Sequence, residues 1–105
     1  MRPIMNSMTQ LQRRDHLSCA RLHARRRLWE RHGVAINEGE QIALERRLVA
    51  GEFEWVADLA GFAVAFAIPL RPGLTIYAVF SIGLWAVVTF LPSLAWVRRK
   101  AVRSA

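Results

Sequence analysis

The sequence predicts an α+β domain, with two N-terminal helices packed on an antiparallel β-meander of three or four strands. Three observations lead there. The vocabulary changes near Gly51, from arginine and helix formers to aromatic residues, β-branched residues and alanine. In "FAVAFAIPL", Phe62, Val64, Phe66, Ile68 and Leu70 alternate with Ala63, Ala65, Ala67 and Pro69. That is the period of a strand, which a helix has no reason to produce. Runs of nearly equal length then follow one another, with Pro72-Gly73 and Gly83 at their boundaries, and such residues mark turns.

Taken in order, residues 1–7 are expected to be disordered, and Met5 and Met8 are alternative starts. The opening "MRPIMNSMTQLQRRDH" has no apolar core and no small-residue cleavage site, so it does not read as a secretory signal. A first helix is expected over 8–32. Met8, Leu11, Leu22 and Trp29 lie within about 60° of one another at 3.6 residues per turn, with Leu17 and Leu28 to one side, and Trp29 is assigned to the core. Gly33 is its natural stop. A second helix is expected over 38–50. Asn37 is a good N-cap, and Glu40 stands three residues on, as in a capping box. Glu38 and Glu40 suit the positive end of the helix dipole, and Arg46 and Arg47 suit its far end.

Strands are expected over 53–58, 62–70, 74–81 and 84–91. In the first, Phe53, Trp55 and Ala57 alternate with Glu52, Glu54 and Asp58. In the third, Leu74, Ile76, Ala78 and Phe80 share one face, and Thr75, Tyr77, Val79 and Ser81 the other. Gly83 supplies the tight turn before the last strand, and Pro92 ends it. Residues 8–92 make a single domain, and 93–105 a basic C-terminal tail. A sheet this apolar needs cover on its second face. The competing architecture is an all-α two-span membrane hairpin, with helices over 53–70 and 74–97. No charge interrupts 74–91, and about 20 apolar residues suffice to span a bilayer. Against it, Asp58 would sit inside the first span, where a carboxylate is costly. The α+β reading places the protein in the cytoplasm, and the hairpin would place it in the inner membrane with both termini cytoplasmic.

The chain of 105 residues is one domain's worth. Its 15 Lys+Arg against 8 Asp+Glu give a formal charge of +7, which suits RNA or another polyanion, although arginine-rich composition alone also gives such a charge. One cysteine, Cys19, excludes an internal disulfide and a cysteine-based zinc site. It reads as a small buried or half-buried residue. His16, His23 and His32 lack compact metal spacing. There is no Gly-rich phosphate loop, nucleophile elbow or paired-carboxylate signature, and nothing calls for a cofactor.

"RLHARRRLWERHGVAINEGEQIALERRLVAG", followed by strands ending in "AVVTFLP", resembles a family of small bacterial, often phage- or mobile-element-associated proteins of unknown function. The family's helix reads HAxxRxxERxG, matched here by His23, Ala24, Arg27, Glu30, Arg31 and Gly33. The likeness spans roughly residues 20–92. In outline it is similar to the small RNase toxins of RelE type and their inert relatives. It implies helices on a small antiparallel sheet, and it permits RNA cleavage without requiring it. Where members carry Arg or Lys on the solvent face of the sheet, this chain has alanines and Trp85. That departure points to a protein partner, or a homodimer through the apolar sheet face.

His23, Arg27, Glu30 and Arg31 stand at i, i+4, i+7 and i+8, on one helix face. Cleavage by the ribose 2′-hydroxyl needs a base, an acid and a cation for the phosphorane charge. His23 or Glu30 can take the proton, and Arg27 or Arg31 can hold the phosphate. The same four residues would equally form a solvated face with i,i+4 ion pairs. Arg21, Arg25, Arg26 and Arg31 lie in the densest cationic stretch and are the candidates for phosphate contact. Tyr77 and Thr89 are strand residues that either aim at a site or populate an exposed face. The tail "WVRRKAVR" is a second basic patch, which under the hairpin reading would anchor at acidic lipid.

Overall fold

The computed structural model describes residues 10–102. The elements are α1 (Gln10–His32), α2 (Glu38–Val49), β1 (Glu54–Leu59), β2 (Ala63–Arg71), β3 (Leu74–Ser81), β4 (Ala86–Leu91) and α3 (Leu94–Lys100). The strands form one antiparallel sheet in the order β1-β2-β3-β4. The chain is therefore α+β, two helices followed by a meander. The expected disordered N-terminus, 1–7, lies outside the described residues. The residues of the two-span hairpin form strands, turns and the start of α3, and among the described residues no helix is long and apolar enough to cross a membrane. The tail expected from 93 onward is a helix over most of its described length, because Leu94 and Val97 have an apolar surface to bury against.

The helix ends follow local chemistry. The Asn37 side chain accepts from the Glu40 N–H at 2.8 Å, and the Asn37 N–H donates back to Glu40 Oε1 at 2.8 Å, completing the capping box. α2 ends in a Schellman motif. The Glu52 N–H donates to the Arg47 carbonyl and the Gly51 N–H to that of Leu48, both at 3.1 Å. Gly51 takes φ +82° there, a conformation that glycine adopts without a Cβ penalty.

The sheet buries both faces. Val64, Phe66, Ile68, Ile76, Ala78, Phe80, Val87 and Phe90 meet Ala24 and Leu28 of α1 and Leu48 of α2. On the opposite face Leu59, Ala65, Val79 and Leu91 meet Val97 of α3. Bulky and small residues of β2 thus divide between the faces as their alternation requires, and α3 supplies cover for the second face. The alternation in β1 fails at a bulge between Trp55 and Ala57. Val56 is the extra residue, so Ala57 packs with Val56 on the α3 face and not beside Trp55. A second bulge, at Val88, lets Val87 and Phe90 share the helix face although three residues apart.

Turns also depart from expectation. Pro72-Gly73 joins Arg71 to Leu74, with Gly73 at φ +81°, as a two-residue turn with proline first demands. In the β3–β4 turn the left-handed residue is Trp85, φ +58°, and not Gly83. The Trp85 N–H reaches back to the Ser81 carbonyl at 2.7 Å, and the Ser81 hydroxyl accepts from the Leu84 N–H. Phe62, in the β1–β2 turn, is also left-handed, φ +56°, and lies outside β2 with 81% of its surface exposed.

The apolar stripe expected on α1 is not its buried face. Trp29 is 61% exposed and Leu22 is exposed, whereas Ala24 and Leu28 are fully buried; Met8 and the side chain of Leu11 lie outside the described residues. The buried face of α2 is Gln41, Glu45 and Leu48, two of them polar. They face β4, an edge strand. Glu45 Oε2 accepts from the Val87 N–H at 2.9 Å, and Gln41 Nε2 donates to the Val87 carbonyl at 3.2 Å. Arg21 closes on Glu45 through Nη2 at 2.6 Å and Nε at 3.2 Å, and Arg25 Nη1 donates to Gln41 Oε1 at 2.9 Å. Further along, Arg31 Nη1 donates to the Phe90 carbonyl at 2.7 Å, and His32 Nε2 to that of Leu91 at 3.0 Å.

Glu45→Ala strands the Arg21 charge and the Val87 N–H together. Breaking one side of a buried pair costs about 3–5 kcal/mol, a large part of a typical 5–15 kcal/mol stability, and Glu45→Gln should cost less. Urea denaturation checks both. Phe62→Gly should raise stability by up to about 1 kcal/mol, since left-handed backbone costs a non-glycine residue about 1–2 kcal/mol and little packing is lost. A higher melting temperature is the expected reading.

Candidate functional site

Turning Arg21 and Arg25 toward α2 leaves the next column of α1 to face elsewhere. His23, Arg27 and Arg31, at i, i+4 and i+8, run along the α3 side of the helix. They form one wall of a cleft of about 570 Å³ whose other walls come from β4, the β1–β2 turn and α3. Its floor is apolar: Leu59, Ala63, Val79, Val88 and Leu91. Thr89 contributes a hydroxyl from β4. Trp96 and Lys100, at i and i+4, present one face of α3. No carboxylate lines this cleft, and its ionisable groups are the His23 imidazole, two guanidiniums and an ammonium.

Two of these groups are already oriented. Arg31 spends one N–H on the Phe90 carbonyl, which fixes its guanidinium at the wall and leaves most of its five donors to the cleft. Arg27 Nη1 donates to Glu30 Oε1 at 2.9 Å in an exposed i,i+3 pair, so it is tethered weakly. The Trp96 ring lies under two cations, with the Arg99 guanidinium 5.0 Å and the Lys100 ammonium 5.8 Å from its centroid. This packing holds the ring at the mouth by cation–π attraction. Chemically the site can gather anionic oxygens over an apolar floor beside an aromatic face.

Of the four residues expected to act together, the structure brings His23, Arg27 and Arg31 to the cleft, while Glu30 stays outside it as the partner of Arg27. Of the expected phosphate contacts, Arg31 lines the cleft and Arg26 is exposed on α1. Arg21 and Arg25 are engaged by Glu45 and Gln41. Thr89 faces the cleft, but Tyr77 lines a different groove, with Glu54 and Arg98. Cys19 is exposed and not half-buried. Among the described residues no group of three His, Cys, Asp or Glu is placed to hold a metal ion. Lys100 and Trp96 were not expected at a site; the i,i+4 spacing within the basic tail was the signal available. Compared with known proteins, the chain matches no family model, no curated protein and no solved structure.

The two guanidiniums should separate by role. Arg31→Met leaves the Phe90 carbonyl without its charged donor, a loss of roughly 1.5–3 kcal/mol. Arg27→Met should stay within about 0.5 kcal/mol of the parent, as an exposed pair does. Chemical denaturation of the two variants side by side checks this.

Proposed function

We propose that this protein binds single-stranded RNA across the cleft between α1, β4 and α3, as a small cytoplasmic RNA-binding protein of RNase-toxin type. The observation that carries the reading is the cleft's lining: four basic side chains from two elements converge there with no carboxylate among them. A chain of charge +7 draws polyanions generally, but general charge does not build an acid-free cleft with an aromatic ring at its mouth. Phosphates would sit among Arg27, Arg31 and Lys100, and a base would stack on Trp96, the arrangement that single-strand binders use. The outline similarity to small RNase toxins of RelE type, helices on a small antiparallel sheet, fits the same reading.

Cleavage is a second reading, favoured by the presence of His23 in the same cleft. There the 2′-oxygen attacks phosphorus, His23 takes the 2′ proton, and the guanidiniums hold the phosphorane oxygens. The bond to the 5′-oxygen breaks, and the Lys100 ammonium is the donor available to that leaving group.

Fluorescence anisotropy with a labelled single-stranded RNA dodecamer tests binding. Log affinity should fall with log salt by about 0.7 for each phosphate neutralised. Arg27→Ala and Lys100→Ala should each weaken binding and flatten that slope by about 0.7, while Arg46→Ala, away from the cleft, should leave it unchanged. Absence of binding at low salt, or equal slopes in all variants, would refute the reading. Under the cleavage reading, induced expression arrests growth and His23→Ala relieves the arrest without loss of RNA affinity.

A further inference from the structure

α2 covers only part of the sheet face on which it packs. Beside it an apolar groove of about 400 Å³ stays open, on the face opposite the cationic cleft. Val64, Phe66 and Phe80 are its buried floor. Trp55, Phe66, Phe80 and Trp85 form a row across the sheet, with successive ring centroids 6.2, 6.5 and 5.2 Å apart. The outer two rings close the ends and are 60% and 56% exposed. Among the described residues no ionisable side chain lines this groove. Trp85 keeps its place on left-handed backbone, φ +58°, a conformation unfavourable for a bulky residue. Strained backbone of this kind clusters at active sites and ligand clamps.

The two ends differ in charge. At the Trp55 end the indole N–H donates to Asp58 Oδ1 at 3.0 Å. Arg47 there is paired with Glu52 and lies 4.7 Å from the centroid of the Phe53 ring. Glu54 lines the groove on the other face, with Arg98. At the opposite end, Val49 and Trp85 also line a hollow of about 300 Å³ shared with Arg21, Glu45 and Arg46. Both Glu45 oxygens are engaged by Arg21, and one of them also by the Val87 N–H, so that pair adds no net charge. Arg46 stands one helical turn before Val49. It is exposed and has no acid paired with it among the described residues. The Trp85 end therefore carries an unmatched guanidinium, and the Trp55 end the Asp58 carboxylate.

We propose that this groove binds a free single-chain amphiphile with an anionic head, of fatty-acid type. Its hydrocarbon chain lies along the aromatic row, and its carboxylate meets Arg46 at the Trp85 end. Charge and shape select this occupant. A lining of apolar and aromatic side chains suits hydrocarbon. The unmatched guanidinium favours a carboxylate at one end, and Asp58 repels one at the other, so the chain has a single direction. A cationic head is disfavoured by the charge of +7 on the whole protein. The floor is buried while the tryptophans at the ends are exposed, so a single chain reaches the floor where a bilayer surface would rest on Trp55 and Trp85. The proposal does not depend on RNA binding, because the cleft lies on the other face of the sheet.

The probe is monomeric decanoate added to the ¹⁵N-labelled full chain, with octanoate and decyltrimethylammonium alongside. Decanoate should shift the Val49 and Ile82 amides and the Trp55 and Trp85 indole resonances. It should bind roughly tenfold more tightly than octanoate, through the two further methylenes it buries, and more tightly than the cationic chain. Arg46→Ala should weaken decanoate roughly two- to fivefold and leave RNA affinity unchanged. Trp85→Gly suits the left-handed backbone and removes the end wall, so the spectrum should stay folded while decanoate affinity falls roughly tenfold or more. Equal affinities for octanoate and decanoate, tighter binding of the cationic chain, or no shift at these residues would overturn the proposal. So would sedimentation with phosphatidylglycerol vesicles when monomeric decanoate changes nothing, because the partner would then be a bilayer. A dimer of the free chain in light scattering that Trp55→Ser dissolves would also overturn it, because a second copy would fill the groove.

Discussion

The Val87 peptide, held on both sides by α2, is the contact on which the rest of the molecule depends. Glu45 accepts its N–H and Gln41 donates to its carbonyl, so the edge strand is tied to a helix where a further strand would otherwise pair. A carboxylate this deep needs a matched charge, and Arg21 of α1 supplies it through two nitrogens, with side-chain exposures of 15% and 6% for the pair. One ion pair therefore links α1, α2 and β4 across long sequence separations. It also sets the rotation of α1. With Arg21 and Arg25 drawn toward α2, the helix buries Ala24 and Leu28 and presents His23, Arg27 and Arg31 to the other side. The cationic cleft follows from the clamp.

That dependence explains what could be read from the sequence. The strands were legible because β2 and β3 obey a two-residue period whose bulky and small faces meet different layers. The α2 start was legible because capping is local chemistry, satisfied within four residues. The buried faces of the helices were not. α2 buries Gln41 and Glu45 with Leu48, and α1 buries Ala24 and Leu28 beside two arginines bonded to α2. A hydropathy stripe cannot reveal a face chosen by hydrogen bonding to a strand some 40 residues away. The stripe that hydropathy did reveal, Leu22 and Trp29, points outward.

Parity was lost for a related reason. A bulge inserts one residue and reverses the facing of those beyond it, so the alternation of "EFEWVAD" assigned Trp55 and Ala57 to one face although they lie on two. The β3–β4 turn misled similarly, since Gly83 marks a turn by composition while Trp85 takes its left-handed position. The site was half legible. The spacing of His23, Arg27 and Arg31 put them on one face, but the role of α3 depended on that segment folding back over the sheet. Once it does, Leu94 and Val97 bury, and Trp96 and Lys100 are carried to the cleft.

The distribution of acid completes the picture. In a chain with so large an excess of cations, each carboxylate position carries information. Glu45 is consumed in the clamp, Glu30 balances Arg27 beside the cleft, and Glu52 balances Arg47 at the end of α2. Glu38 and Glu40 stand in the first turn of α2, Asp15 lies on α1, and Glu54 and Asp58 lie on β1, where Asp58 accepts from the Trp55 indole. The meander thus runs from β1, covered only at its Asp58–Leu59 end, to β4, where α2 holds the Val87 N–H and carbonyl.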